Sequence, residues 1–432
     1  MTIEKQMETY FDRLYPICRS ISGEGYQESL DIIREIIPLE KIDFASGTEC
    51  YDWTVPDEWT IRDAYITGPD GKTFARFKDN NLHVVGYSLP IDKKMTLDQL
   101  KKHLHTLKEL PEAIPYVTSY YKQNWGFCLS YNKYKNLEEG SYRVFIDSEL
   151  KPGKLTIGVL TIPGKTNQEI LLSTYLCHPS MAVNELSGPL VTAFLYKKLL
   201  KEKRFRHTIR FVFCPENIGA IAFLSKFGRE LKNRLIAGYV INCVGHGDIY
   251  TYKKSRRGNT LADRAALNVL KHQKLPLEVI DFFPDGSDER QYCSPGFNFP
   301  IGLIMRTMYG KYKEYHTSLD NKELISFKIM KESVNIYWEV IKTIEENTIY
   351  KNRIQYGTPQ FSKSKVPLYP NTMVSNKYNE HGVELNKMLA MINYCDGEND
   401  LLQIADDKDY KMLEMIKTRD NLIKAGYLIK RV

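Results

Sequence analysis

From Lys154 onward the chain alternates short, nearly unbroken apolar runs with amphipathic stretches. LTIGVLTIPG, EILLSTYLC, TIRFVFCP, IAGYVINCV and PIGLIMR are the apolar runs, and their continuity is that of strands buried on both faces. Between several of them lie helical patterns: SGPLVTAFLYKKLLKEK, IGAIAFLSKFGRELKN and NTLADRAALNVLKHQK. Apolar strands alternating with helices predict an α/β fold, in which helices cover both sides of the sheet. A further helix, ELISFKIMKESVNIYWEVIKTIEEN, closes this block near Asn347.

The flanking segments have other textures. Residues 1–45 read as helical, with Tyr10, Phe11, Leu14 and then Leu30, Ile33, Ile36, Ile37 at helical spacing. From Glu49 β-branched and aromatic residues are broken by the turn signals GPDG and DNN, which predicts short antiparallel strands. A helix is expected over 95–107 and a strand at YRVFIDSEL. The organisation that follows has an α/β domain of residues 1–48 and 149–350, interrupted by a β-rich domain of residues 49–148. A polar linker carrying Pro359, Pro367 and Pro370 spans 351–380. Residues 381–432 form a small winged-helix-like domain of about three helices ending in a hairpin.

Composition excludes several classes. The 432 residues carry 26 Gly and 19 Pro, too few for a fibrous or low-complexity chain. No stretch of about 18 apolar residues occurs, so no membrane partner is expected. Glu4, Lys5, Glu8 and Asp12 leave no room for a signal-peptide core, and the eight cysteines contain no CxxC pair. A reducing, cytoplasmic setting follows. The net charge of +7 is modest, and residues 382–432 hold eight Lys/Arg against nine Asp/Glu. That balance argues against nucleic acid and for protein contact or self-association through the C-terminal domain.

In open α/β sheets ligands bind beyond the carboxyl ends of the strands. EILLSTYLC leads into His178, and TIRFVFCP into Glu216 and Asn217. IAGYVINCVG carries Asn242, followed by His246 and Asp248; PIGLIM runs into Arg306 and, further on, His316. Each residue alone has an ordinary reading as a cap, a surface group or, for Asp288, Glu289 and Arg290, a solvated turn. Their arrival at one rim is what reads as a site.

CHPSMAVNELSG (177–188), FCPENIG (213–219), VINCVG (240–245), KSRRG (254–258), GSDERQYCSPGF (286–297) and EYHTSLDN (314–321) resemble one family. It is the bacterial aminopeptidase-like proteins related to the M28 zinc aminopeptidases, of DUF4910/DUF2172 type, often found near surface-polysaccharide biosynthesis genes. YPICRSISGEG, YDWTVPDEW and the C-terminal tail extend the likeness over nearly the whole chain. It implies a zinc-aminopeptidase-like (phosphorylase/hydrolase-like) mixed sheet with flanking helices. By position, His178 and His316 match the histidine ligands of the M28 two-zinc centre and Glu216 its general base. Asn184, Asn217 and Asn242 fall where that centre has carboxylates.

Three amides in place of carboxylates remove most of the charge that two zinc ions require. The expectation is one Zn²⁺, or none, held by His178, His316 and an oxygen of Asn184 or Glu185. Glu216 then serves as general base, Asp288 or Glu289 receives a substrate ammonium, and Arg306 with Tyr309 holds a carboxylate or oxyanion. The function so implied is hydrolysis of an amide in a small peptide-like or amino-sugar substrate, in surface-polysaccharide or amino-sugar metabolism. The competing reading is a catalytically impaired binding or assembly protein that has lost its dizinc site.

Overall fold

The apolar runs assemble into one sheet of eight strands, in the order Glu40–Ala45, Lys154–Ile162, Thr208–Cys214, Glu169–Tyr175, Leu235–Val240, Ile301–Met305, Tyr250–Lys253 and Leu277–Ile280. The computed structural model describes residues 1–202, 204–366, 368 and 380–431. Four central strands, 208–214, 169–175, 235–240 and 301–305, run parallel, while 154–162 and 250–253 pair with this set antiparallel. Every residue of Glu169–Tyr175 is buried, as its unbroken apolar run requires.

On one face the helices Ile3–Leu14, Ser187–Leu199, Leu261–Lys271 and Phe327–Glu346 bury Phe11, Leu190, Val269 and Tyr337 in a common core. On the other, Ile218–Leu231 packs Ile221 and Phe223 against Val212, Val240 and Leu303. Helix Ser187–Leu199 begins hard against the carboxyl edge of the sheet. A Cβ at Gly188 would lie 2.3 Å from the Ile241 carbonyl oxygen and 2.7 Å from Thr174 Oγ1, so only glycine permits that approach.

Residues 1–45 are not helical throughout. After the helices Ile3–Leu14 and Glu24–Arg34, residues Glu40–Ala45 form an edge strand against Lys154–Ile162. Pro38 stops the preceding helical pattern, and Ile42 and Phe44 alternate onto the core face.

The β-rich segment is a four-stranded antiparallel sheet, Thr73–Phe74, Glu58–Thr67, Ser141–Lys151 and Ile91–Thr96, over its own core of Ile66, Leu100, Phe127 and Val144. The helix expected over 95–107 is only Leu97–Lys101, opened by a Thr96/Gln99 capping box. His103 then stacks on Trp125 with ring centroids 3.8 Å apart, and Leu104–His105 pairs with Phe127–Cys128. Tertiary stacking thus overrides a helical pattern too short to persist alone. The segment meets the α/β domain through an antiparallel bridge: Tyr116 N donates to His316 O (2.8 Å) and Ser318 N to Ile114 O (2.9 Å).

At the C-terminus the helices Glu380–Tyr394, Leu401–Asp407 and Met412–Lys424 accompany a three-stranded sheet. Its central strand is Ile349–Asn352, between Asp396–Asp400 and Leu428–Lys430. Among the described residues no terminal hairpin forms, because Leu428–Lys430 finds its partner in that strand rather than in its sequence neighbour. Of the stretch read as a linker, residues 367 and 369–379 lie outside the described residues. The small domain is tied to the large one by Arg264–Asp400 (2.6 Å) and Arg419–Glu346 (2.8 Å). Among the described residues no helix is long and apolar enough to cross a membrane.

Candidate functional site

The carboxyl ends of the four parallel strands carry His178, Glu216 with Asn217, Asn242 and Arg306 onto one rim. The backbone there is unusual. Ser180, Asn217, Cys243 and His316 all have left-handed φ, at 46°, 61°, 51° and 55°. Non-glycine residues in that region each cost roughly 1–3 kcal/mol and persist where surrounding structure over-determines them, commonly at functional sites.

His178 is the centre of a buried network. Its Nδ1 lies 2.7 Å from Glu185 Oε2, and the other oxygen of Glu185 accepts the Cys177 backbone N–H. Both Glu185 oxygens are therefore engaged behind the imidazole. The opposite nitrogen, Nε2, faces Glu216 Oε2 at 3.6 Å. The His178 carbonyl is held by Arg19 Nε (3.1 Å), a guanidinium buried to 1% exposure and close enough to Glu185 to interact with its charge. Neither Arg19 nor the role of Glu185 as an orienting group was signalled by the sequence. Arg19 lies 159 positions away from His178.

Glu185 and Asn184 sit on a π-helical turn, Ala182–Leu186, that leads into helix Ser187–Leu199. Such turns leave several N–H groups in need of an acceptor. Asp320 supplies it, accepting from the N–H groups of Val183 (2.7 Å), Asn184 (3.0 Å) and Ala182 (3.2 Å). Asp320 belongs to the EYHTSLDN motif but carried no signal of its own. The same motif brings His316 to His178, with ring centroids 5.3 Å apart and Tyr116 in contact with both rings.

The three amides have distinct settings. Asn184 Nδ2 donates to Tyr175 OH (3.1 Å), leaving Oδ1 buried without a hydrogen-bond partner. Asn242 Nδ2 donates to Ser287 Oγ (2.6 Å), and its Oδ1 is likewise buried and unpartnered. Asn217 is the opposite case. Its Oδ1 accepts from Arg290 NH2 (2.7 Å), Arg290 Nε (3.0 Å) and Gln291 Nε2 (3.0 Å), and its N–H donates to Asp288 Oδ1 (2.6 Å).

The other residues expected to bind substrate are less free. Glu289 pairs with the buried Lys253 (2.8 Å), which also donates to Tyr309 OH (2.8 Å) and Asp285 Oδ1 (3.0 Å); Glu289 Oε2 has no partner. Arg306 is committed to Glu332 (3.0 Å) and the Gly247 carbonyl (2.9 Å), over the ring of Tyr250. His246, also on the rim, binds the Leu324 carbonyl through Nδ1 (3.1 Å).

Burial dominates the electrostatics. It pushes the Glu216 carboxyl up to about 7, with Glu185 and Glu289 adding and His178 and Arg290 opposing. Burial and the neighbouring Glu216 hold Asp288 well above the usual carboxylate range. Burial opposes protonation of His178, but Glu185 and then Glu216 reverse that and raise its pKa. His316 is driven down to about 3 by burial and by His178, so its imidazole is neutral.

Among the described residues, the His, Cys and carboxylate ligand atoms that converge within 4.8 Å are those of Cys177, His178 and Glu185. Burial keeps the Cys177 thiol protonated, its sulfur accepts the Glu216 N–H (3.3 Å), and Glu185 has no oxygen to spare. This trio is a hydrogen-bonded brace for His178. On the other side of the ring His178 Nε2 is turned to Glu216; the neutral His316 lies with its ring centroid 5.3 Å from that of His178, and Asn184 Oδ1 is buried without a partner.

Known proteins match this architecture. Residues 9–347 match the domain of unknown function DUF4910, and residues 348–430 match a winged helix-turn-helix. A Clostridium acetobutylicum protein is 45% identical over 91% of this chain and 89% of its own; it is named as a candidate polysaccharide biosynthesis protein with an aminopeptidase-like domain. A crystal structure from Clostridium acetobutylicum designated a candidate peptidase superposes with a TM-score of 0.92 at 40% identity, covering 99% of this chain and 96% of that one. The zinc aminopeptidase of Bacillus subtilis shares the fold at 10% identity, with a TM-score of 0.58 over 79% of this chain and 94% of that one. With most of its length matched by the one model and the 45% identical relative alongside, the chain belongs to the DUF4910 family, an M28-like aminopeptidase fold with a winged helix-turn-helix at its C-terminus.

Proposed function

We propose that this protein is a zinc-dependent amide hydrolase of aminopeptidase type. The observation that carries the reading is the His178–Glu216 pair: a buried imidazole fixed at Nδ1 by Glu185, presenting Nε2 to a half-buried carboxylate 3.6 Å away. A two-ion centre does not suit these residues. Asn217 Oδ1 is saturated by Arg290 and Gln291, and neutral Asn184 and Asn242 offset no charge. A single ion suits them better, because the His178 and His316 rings lie with centroids 5.3 Å apart and Asn184 Oδ1 is a buried acceptor with no partner.

Zinc bound by His178, His316 and Asn184 would supply an acidified water and a polarised carbonyl. Glu216 accepts the proton of the attacking water and delivers it to the amine nitrogen as the C–N bond breaks. Glu185 orients His178 rather than meeting the ion. Glu289, with one free oxygen, receives the substrate ammonium, and Asp288 fixes the Asn217 backbone. Arg306 and Tyr309 act through Glu332 and Lys253 as positioning residues. The name of the Clostridium acetobutylicum relative supports a substrate in surface-polysaccharide or amino-sugar metabolism, and eight free cysteines support a reducing, cytoplasmic location.

The Asn217–Arg290 contact favours a second reading, a binding protein that has abandoned the metal. Metal analysis of the purified full chain, together with hydrolysis assays on N-acyl amino sugars and aminoacyl anilides, separates the two. Stoichiometric zinc and chelator-sensitive turnover are expected. A metal-free protein inert on both substrate classes even after zinc loading would overturn the hydrolase reading.

A further inference from the structure

Next to His316 lies a cleft of about 540 Å³ that the chemistry above does not use. One wall comes from the β-rich segment and the other from the His316 loop, which the Tyr116–His316 backbone bond holds together. Tyr116 and His316 line the cleft and also contact the ring of His178, so the cleft is one side chain away from that imidazole. Its volume is in the range of small-molecule sites.

The lining has a definite character. Tyr116, Tyr131, Tyr134 and Tyr315 supply ring faces, and His105 and Thr106 add polar groups between them. Tyr131 and Tyr134 lie on one turn of the short helix Tyr131–Lys135, rings nearly parallel at 22° and both half-buried. Tyr315 stacks on His316 at 3.9 Å, which fixes a third face. None of the described lining residues is acidic, and Lys108 brings a cation 5.9 Å from the Tyr131 ring centroid.

From this arrangement we infer that the cleft binds a glycosyl group, the part of the substrate that does not react. A pyranose presents a flat C–H face and a rim of hydroxyls, the complement of aromatic faces interleaved with hydroxyl and imidazole tips. The lack of carboxylates and the presence of Lys108 suit a neutral or acidic sugar and disfavour a cationic group at this end. A long acyl chain would leave the polar tips unpaired, which costs binding. The inference rests on the hydrolase reading for the word substrate, but the cleft itself is tested without turnover.

The experiment is calorimetric titration of the full chain with the methyl glycoside of N-acetylglucosamine, and separately with trialanine. Glycoside binding is expected, weakened about fivefold or more in Tyr131→Ala and Tyr134→Ala and largely kept in Tyr131→Phe. Leu107→Trp, which fills the cleft without deleting a contact, should abolish it. Glu216→Gln should bind the glycoside like the parent while losing hydrolysis. That result keeps the two ideas apart: a glycoside-binding protein that never hydrolyses an amide loses the hydrolase reading and keeps the cleft. No glycoside binding at millimolar concentration, binding indifferent to both alanine variants and to Leu107→Trp, or trialanine binding in place of the glycoside would each overturn the inference.

Discussion

Among the described residues, two buried histidines are each hydrogen-bonded through Nδ1 to a buried glutamate; the pairs look alike locally and differ in what surrounds them. In one, His178 Nδ1 meets Glu185 Oε2 at 2.7 Å, and in the other His207 Nδ1 meets Glu345 Oε1 at 2.8 Å. Both glutamates also accept backbone N–H bonds, Glu185 from Cys177 and Glu345 from Arg206 (2.5 Å) and His207 (3.0 Å). The difference is position. His207 precedes strand Thr208–Cys214, whereas His178 follows strand Glu169–Tyr175. At the strand starts the pair joins the edge of the sheet to helix Phe327–Glu346. At the strand ends it has a second carboxylate, Glu216, on the far side of the ring, and unpartnered acceptors nearby on Asn184 and Asn242. A buried His–Glu pair is therefore no mark of a site by itself; surplus groups beyond the carboxyl ends of parallel strands are.

The strongest way to break this comparison is Glu216→Gln. It should cut amide hydrolysis by about 10²–10⁴-fold, because the amide cannot take the proton from water, while zinc content and thermal midpoint stay near those of the parent. Turnover at the parental rate would remove Glu216 from the chemistry.

His207→Ala should act on the other axis. Leaving Glu345 without its imidazole is expected to cost about 3 kcal/mol in urea unfolding, in the range for breaking buried pairs, with zinc affinity untouched. A loss of zinc in this variant would mean that the two pairs are not functionally separate.

A sharper contrast comes from making one change at both places. Glu185→Gln should lower zinc affinity by about 10–100-fold, the usual effect of losing the carboxylate behind a ligating histidine, and Glu345→Gln should not alter it. Equal effects in a competition titration would contradict the assignment.

The smallest expected effect is a gain. Asn184→Asp puts a charged oxygen where the unpartnered amide oxygen lies and should tighten zinc binding, on the order of tenfold. If the variant binds zinc no better than the parent, Asn184 does not face the ion.

Much of the architecture was legible because it is written in local periodicity. The continuous runs from Lys154 to Met305 are strands buried on both faces, and the rule that ligands lie beyond strand ends led to His178 and Glu216. Elements governed by distant partners were misread. Glu40–Ala45 and Leu104–His105 are short strands that exist because Lys154–Ile162 and Phe127–Cys128 lie beside them. Ile349–Asn352 is the middle of a sheet whose outer strands come from residues 396–400 and 428–430.

At the site the division is finer. The amino-acid sequence by itself determined which chemical groups reach the rim: imidazoles at 178 and 316, a carboxylate at 216, amides at 184, 217 and 242. Only the tertiary structure decided which way each group faces. Arg19, brought in from the N-terminus, accompanies Glu185 behind His178, where the sequence had offered it as a ligand. Arg290 closes off Asn217, and Tyr175 takes the Asn184 amide nitrogen so that its oxygen is left open. The physical reason is that side-chain type is a local property, whereas the direction of a carboxylate or amide in a buried pocket is set by its hydrogen-bond partners, and those come from segments far apart in the chain.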